Sequence, residues 1–172
     1  MSKAVLISIR PKWCELIARG EKTLEVRKNK PKLETPFRCY IYQTKQKWSY
    51  DYIVGQDRMK TALTLADGQS KVVGEFVCDG FIIDRTFGHD PLLLAAACMS
   101  EVEAATYCVN SETYGWHISG LVIYDKPKPL SEFQSYESSV VWKDGYPIPT
   151  HEIKRPPQSW FYVKEVAADE DS

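Results

Sequence analysis

Apolar side chains fill five of the six positions from Ala4 to Ile9, and the exception is Ser8. A run this short, rich in β-branched residues, reads as a buried strand. Pro11 suits the first position of a helix, because its missing N–H would have no partner there. Trp13, Leu16 and Ile17 then recur at helical spacing, and Gly20 is placed to end that helix. From Thr23 to Arg27 polar and apolar residues alternate, the period of a half-buried strand. Leu24 and Val26 would face the core, with Thr23, Glu25 and Arg27 on the opposite face. Phe37–Gln43 reads as a third strand. Lys71–Asp84 reads as one long strand, with Gly74 and Gly80 as bulge positions. Pro91–Met99 suits a buried helix. Ser100 and Glu103 have the spacing of a capping box, so a further helix is expected to reach Tyr107 or beyond. Trp116–Tyr124 reads as a strand ended by Lys126-Pro-Lys-Pro129, with a helical turn at Leu130–Phe133. Glu137–Pro157 reads as loop and Ser159–Glu165 as the last strand. Lys45–Gln69, polar and dotted with aromatics, predicts no definite element.

About six short strands with two or three helices suggest an α+β fold, in the form of a small barrel or curled sheet. At 172 residues, one domain is expected over residues 1–165, with an insertion at 45–69 and an acidic tail at 166–172. The net charge of −1 carries no global signature for nucleic acid, so any such contact needs a local patch. Basic residues do cluster early, at Arg10, Lys12, Arg19, Lys22, Arg27, Lys28, Lys30 and Lys32. Five cysteines without metal-ligand spacing read as free thiols, mostly small buried hydrophobes. The start of the chain shows no charged-then-apolar leader, and no apolar run reaches the ~18 residues of a membrane span. A cytoplasmic protein without membrane contact is expected.

The candidate chemistry lies in Gly20-Glu21-Lys22-Thr23-Leu24-Glu25-Val26-Arg27. Lys22, Glu25 and Arg27 fall at a helix-to-strand junction. A solvated ion-pair face would present the same letters, and exposed pairs contribute under ~1 kcal/mol each. Half-buried, Lys22 and Glu25 would each keep the other charged. A lysine depressed by burial would then serve as a base, with Glu25 orienting water and Arg27 steadying an oxyanion.

The ordered letters G-x-K-x-x-E-x-R, filled by Gly20, Lys22, Glu25 and Arg27, resemble the signature of the ASCH domain family in the PUA-like superfamily. Companion segments resemble its phage and bacterial branch: Leu6-Ile-Ser-Ile-Arg-Pro-Lys-Trp13, Tyr114-Gly-Trp-His-Ile-Ser119, the stretch from Ile123 to Phe133, and Arg155-Pro-Pro-Gln-Ser-Trp160. The resemblance implies a small curled mixed β-barrel with a cleft beside the motif, in a superfamily that often binds RNA or modified bases. Some small members resemble amidohydrolases acting on acetylcytidine, with the pattern G-x-K-T-x-T-x-R and a later helical glutamate. Lys22 keeps that lysine, and Glu25 stands where the nucleophilic threonine would be. Glu103, or its rival Glu101, corresponds to the later acid. The change from threonine to glutamate moves the expectation toward binding or another reaction.

The expected catalytic set is therefore Lys22, Glu25 and Glu103. The expected ligand contacts are Arg10, Lys22, Thr23, Glu25, Arg27 and Trp116, with Trp13 and Tyr42 as further stacking candidates. The expected partner is RNA or a modified nucleoside or nucleotide. If the chain is an enzyme, it would be an amidohydrolase or ribonuclease without metal. His117 reads as a structural hydrogen-bonding residue. His89 and His151 have no ligands at metal spacing, so neither a metal nor a cofactor is expected. A protein-interaction role would use Trp48 and Tyr50, in the stretch Gln46–Tyr52.

Overall fold

The computed structural model describes residues 2–45, 69–84, 90–109 and 112–166. In chain order these form β1 (Lys3–Ile9), α1 (Pro11–Ala18), β2 (Leu24–Arg27), β3 (Phe37–Gln43) and β4 (Lys71–Asp84). Then come α2 (Pro91–Ala97), α3 (Glu101–Tyr107), β5 (Thr113–Pro129), a 3-10 turn at Leu130–Glu132, β6 (Gln134–Lys143), β7 (Tyr146–Glu152) and β8 (Trp160–Lys164). The strands form one mixed sheet in the order β2-β5-β4-β3-β1-β8-β6-β7. β1 and β3 run parallel, and the other pairs are antiparallel. The fold is α+β, as the sparse helices suggested. The sheet is open, with β2 and β7 at its two ends, and it has eight strands where about six in a barrel were expected.

β1 is the centre of the packing, buried on both faces as its near-continuous apolar run requires. Val5, Ile7 and Ile9 enter one cluster with Cys14, Ile17, Phe76 and Trp116. Ala4 and Leu6 enter another with Tyr40, Val72, Phe133 and Val163. A third, small cluster joins Leu24 and Val26 of β2 to Ala97 of α2. Leu24 and Val26 thus reach a core, but the opposite face of β2 is covered as well, and all four of its residues are buried.

The extra strands come from the stretch read as loop. β6 and β7 form a hairpin whose turn residues Asp144 and Gly145 both have positive φ, 52° and 81°. That is the turn type for which Asp-Gly is a strong hairpin signal. Pro147 and Pro149 hide the signal, since proline normally argues against a strand. They are tolerated because β7 is an edge strand. The same reason carries β5 through Pro127 to Pro129, past the stop expected at Lys126. β2 runs beside β5 only from Tyr114 to His117, so the later part of β5 is an edge.

The helices follow their caps. Asp90 accepts backbone hydrogen bonds from Leu92 and Leu93 at the start of α2. The expected capping box of α3 is present in both halves, Ser100 to Glu103 and back. The long strand β4 bulges near both expected glycines, with register shifts at Val72/Gly74 and Cys78/Phe81. No helix among the described residues is long and apolar enough to cross a membrane.

At Gly74 an added Cβ would stand 2.4 Å from the carbonyl oxygen of Val122. Gly74→Ala is therefore expected to force β4 and β5 apart and destabilise the fold by about 1–3 kcal/mol. A urea midpoint equal to that of the unsubstituted protein would show that the strands yield freely.

Candidate functional site

The site begins at the end of α1. Gly20 takes φ +74°, and the amides of Glu21 and Lys22 both bond to the carbonyl of Leu16, at 3.0 and 3.1 Å. This reversal starts Lys22 back beneath the helix. Thr23 then pins the backbone on both sides, donating to Ala96 O and accepting from the Ile118 amide, each at 2.9 Å. The chain is held between the end of α2 and the flank of β5 before β2 starts.

Lys22 and Glu25 are sealed from solvent, with side chains only 3% and 7% exposed. Lys22 Nζ donates to Ala97 O at 2.7 Å, where the carbonyls at the end of α2 favour a cation. It lies 3.5 Å from Glu25 Oε2. Glu25 Oε1 accepts from Arg27 Nε at 3.0 Å and lies 2.9 Å from Nη2. Glu25 Oε2 is buried and has no hydrogen-bond partner. Burial lowers the pKa of Lys22, and the Glu25 carboxylate opposes that shift.

Arg27 ties three segments together. Nη2 donates to Ser8 O at 2.7 Å and Nη1 to Ser159 Oγ at 3.2 Å. Ser8 in turn donates from Oγ to Pro157 O at 2.6 Å and from its amide to Ser159 O at 2.9 Å. Arg27 thereby locks β2 to the end of β1 and to the entry of β8. Its hydrogen-bonding capacity is largely used within the fold.

The other expected contacts are placed differently. Glu103 makes no contact with Lys22 or Glu25 among those described. Its Oε2 closes the capping box with the Ser100 amide at 3.0 Å, and its Oε1 meets Lys12 Nζ at 2.8 Å. The Lys12 ammonium, together with the Ser100 amide, holds the Glu103 carboxyl below its usual pKa. Glu101, Thr23 and Arg10 are exposed. Trp116 faces Glu25 across the β2–β5 pair but is fully buried, ringed by Phe37, Phe81 and Trp160, so it offers no open stacking face. Tyr42 is buried in the opposite cluster. His117 pairs with Asp79 at 2.6 Å on the surface, and His151 bonds to Ser135 O at 2.9 Å. His89 and Gln46–Tyr52 lie outside the described residues.

Two residues join the site without a signal at the sequence level. Tyr107, at the end of α3, feels Arg27, Glu25 and Arg10, although burial is what mainly raises its pKa. Cys98 follows α2 in a left-handed conformation, and Lys22 acts on its thiol. Only tertiary structure, with α2 packed on β2, brings them near. The ring of Trp13, a further stacking candidate, lies under two ammonium groups, Lys12 at 4.4 Å and Lys22 at 4.8 Å from the ring centroid.

An open mixed sheet carrying a buried Lys–Glu–Arg cluster at a helix-to-strand junction defines the class. The ASCH domain family profile matches residues 7–114, and the chain belongs to that family. Similar solved structures include those of ZmASCH from Zymomonas mobilis. A tyrosine-to-phenylalanine mutant superposes with TM-score 0.54 at 16% identity, covering 95% of this chain and 92% of that one. A serine-to-alanine mutant gives TM-score 0.52 at 16% identity, covering 94% and 89%. At this identity the likeness concerns the fold. No curated protein matches the sequence.

Removing Glu25 leaves two buried cations, whereas removing Lys22 leaves an intact Glu25–Arg27 pair. Glu25→Ala is expected to destabilise the fold by about 3–5 kcal/mol, and Lys22→Met to stay within about 1 kcal/mol. Between the lowered pKa of Lys22 and its ordinary 10.5, unfolding takes up a proton. The stability of the unsubstituted protein should therefore gain on that of Lys22→Met as pH rises through this window. Urea unfolding across pH checks both points. An equal loss in the two variants would mean that the ammonium is a structural tie.

Proposed function

We propose that this chain binds RNA or a modified nucleobase at Lys22 and Glu25. The observation that carries the reading is Glu25 Oε2, sealed from solvent with the Lys22 ammonium held off at 3.5 Å, while that ammonium makes its short hydrogen bond to Ala97. Buried polar atoms are almost always satisfied, so a spare acceptor beside a donor with protons in hand calls for an explanation. A base edge supplies both complements, an N–H for the carboxylate and a ring nitrogen or carbonyl for the lysine. Arg10, Lys12, Lys28, Lys30 and Lys32 are exposed along the same stretch of chain, suited to phosphates. Membership of the ASCH family and the superfamily's common use of RNA support the same reading.

Arg27 acts in this reading as a positioning residue that fixes the Glu25 carboxylate. Glu25→Gln keeps the shape while removing the charge, and Lys22→Met removes the donor. Each is expected to weaken binding of a labelled single-stranded RNA about tenfold in fluorescence anisotropy. Affinity should fall with added salt for every variant. Undiminished affinity in both variants would refute the assignment.

A second reading, hydrolysis of a modified nucleoside, rests on the burial-lowered pKa of Lys22 beside a carboxylate. Neutral Lys22 would take the proton from an attacking water oriented by Glu25 and return it to the exocyclic nitrogen of cytidine as the C–N bond to the acetyl group breaks, releasing acetate and cytidine. Acetate release from acetylcytidine that Lys22→Met abolishes would support it. No turnover at high protein concentration would exclude that substrate.

A further inference from the structure

Lys22 and Glu25 are closed to solvent, so a ligand reaches them only if a covering group moves. The covering groups differ in how firmly they are held. Ala97 is fully buried, and the end of α2 is tied to Thr23 by a backbone hydrogen bond at 2.9 Å. Trp13 is half-buried at the rim of the main core, with the Lys22 ammonium 4.8 Å from its ring centroid. The second ammonium on the same ring is that of Lys12, at 4.4 Å. Lys12 is held in turn by Glu103, at 2.8 Å. These two side chains are 54% and 39% exposed, so this outer hold lies in solvent, where ion pairs are weak and salt-sensitive.

We propose that Trp13 is the gate of the Lys22–Glu25 site, latched shut by the Lys12–Glu103 ion pair, and that its indole becomes a stacking face for the incoming base once the latch opens. The ligand class is a planar heterocycle with an N–H beside a hydrogen-bond acceptor. The N–H meets Glu25 Oε2, the acceptor meets Lys22 Nζ, and the π-face meets Trp13. Glu103 acts here at a distance, through Lys12 and Trp13, and touches no ligand. The ligand part rests on the reading of Lys22 and Glu25 as ligand contacts, but the gate does not.

The gate is therefore tested without RNA, by lysine acylation with acetic anhydride at low dose and peptide mass spectrometry. Acylation of a sealed lysine follows the population of the open state. Lys22 is expected to acylate far more slowly than the exposed lysines. Glu103→Gln keeps the capping box, because glutamine serves there as well as glutamate, and it removes the ion pair. This variant and Lys12→Gln should each raise the rate at Lys22 about fivefold, the factor that matches the loss of one exposed ion pair. The rate at Lys164, far along the sheet, should stay constant. Added sodium chloride should raise the Lys22 rate in the unsubstituted protein and leave both latch variants unmoved. Trp13→Ala should raise it further, and if that variant fails to fold, the two latch variants decide alone. A Lys22 rate unchanged in both latch variants, and insensitive to salt, overturns the gate. An intact gate with no RNA affinity would refute the ligand reading alone.

Discussion

The Glu25 carboxylate is the constraint on which this end of the molecule depends. It lies on β2 facing the main core, where an unpaired charge would not be tolerated. Arg27, two residues along the same strand face, neutralises one oxygen. Arg27 also donates to Ser8 and Ser159, so the pair joins β2 to the end of β1 and the start of β8. One short edge strand thereby acquires contacts that its four residues could not make by ladder hydrogen bonds alone. Lys22 supplies a second cation that the carboxylate does not need for neutrality. Two cations against one anion leave an excess of positive charge in a dry place, and burial accordingly drives Lys22 toward its neutral form.

That excess separates a structural ion pair from a candidate site. The Arg27 side of Glu25 is saturated, and the Lys22 side is not. The spare capacity is confined to Glu25 Oε2 and the unspent protons of Lys22, which face each other at a distance longer than a normal hydrogen bond. Arg27 provides rigidity and Lys22 provides reactivity or affinity, although the two look equivalent as letters in the motif.

Much of the fold was legible, and the exceptions have physical causes. β1 announced itself by its unbroken apolar run, and the helix caps at Gly20 and Ser100 by residue type. The β6–β7 hairpin stayed hidden because Pro147 and Pro149 outweigh the Asp144-Gly145 turn unless the strand is already known to be an edge. At the site, the motif brought Lys22, Glu25 and Arg27 together, but alternation placed Glu25 and Arg27 only on the face opposite Leu24 and Val26. Periodicity reports which residues share a face, not whether another layer covers it. Glu103 illustrates the same limit. Its helix cap was readable from spacing, whereas its ion pair with Lys12, 91 residues away in sequence, depends on tertiary structure and could not be read locally. Tyr107 and Cys98 likewise owe their places to tertiary structure.

The account turns on whether the buried ammonium, and not the basic surface around it, meets the nucleic acid. The most direct measurement is NMR of the lysine side-chain methylene next to Nζ during titration with a short single-stranded RNA. The resonance of Lys22 is predicted to shift strongly and saturably, together with those of the exposed basic stretch around it. A titration in which the exposed lysines respond and Lys22 stays at its free position would contradict the account, leaving the Lys22–Glu25 pair as a structural feature of the fold.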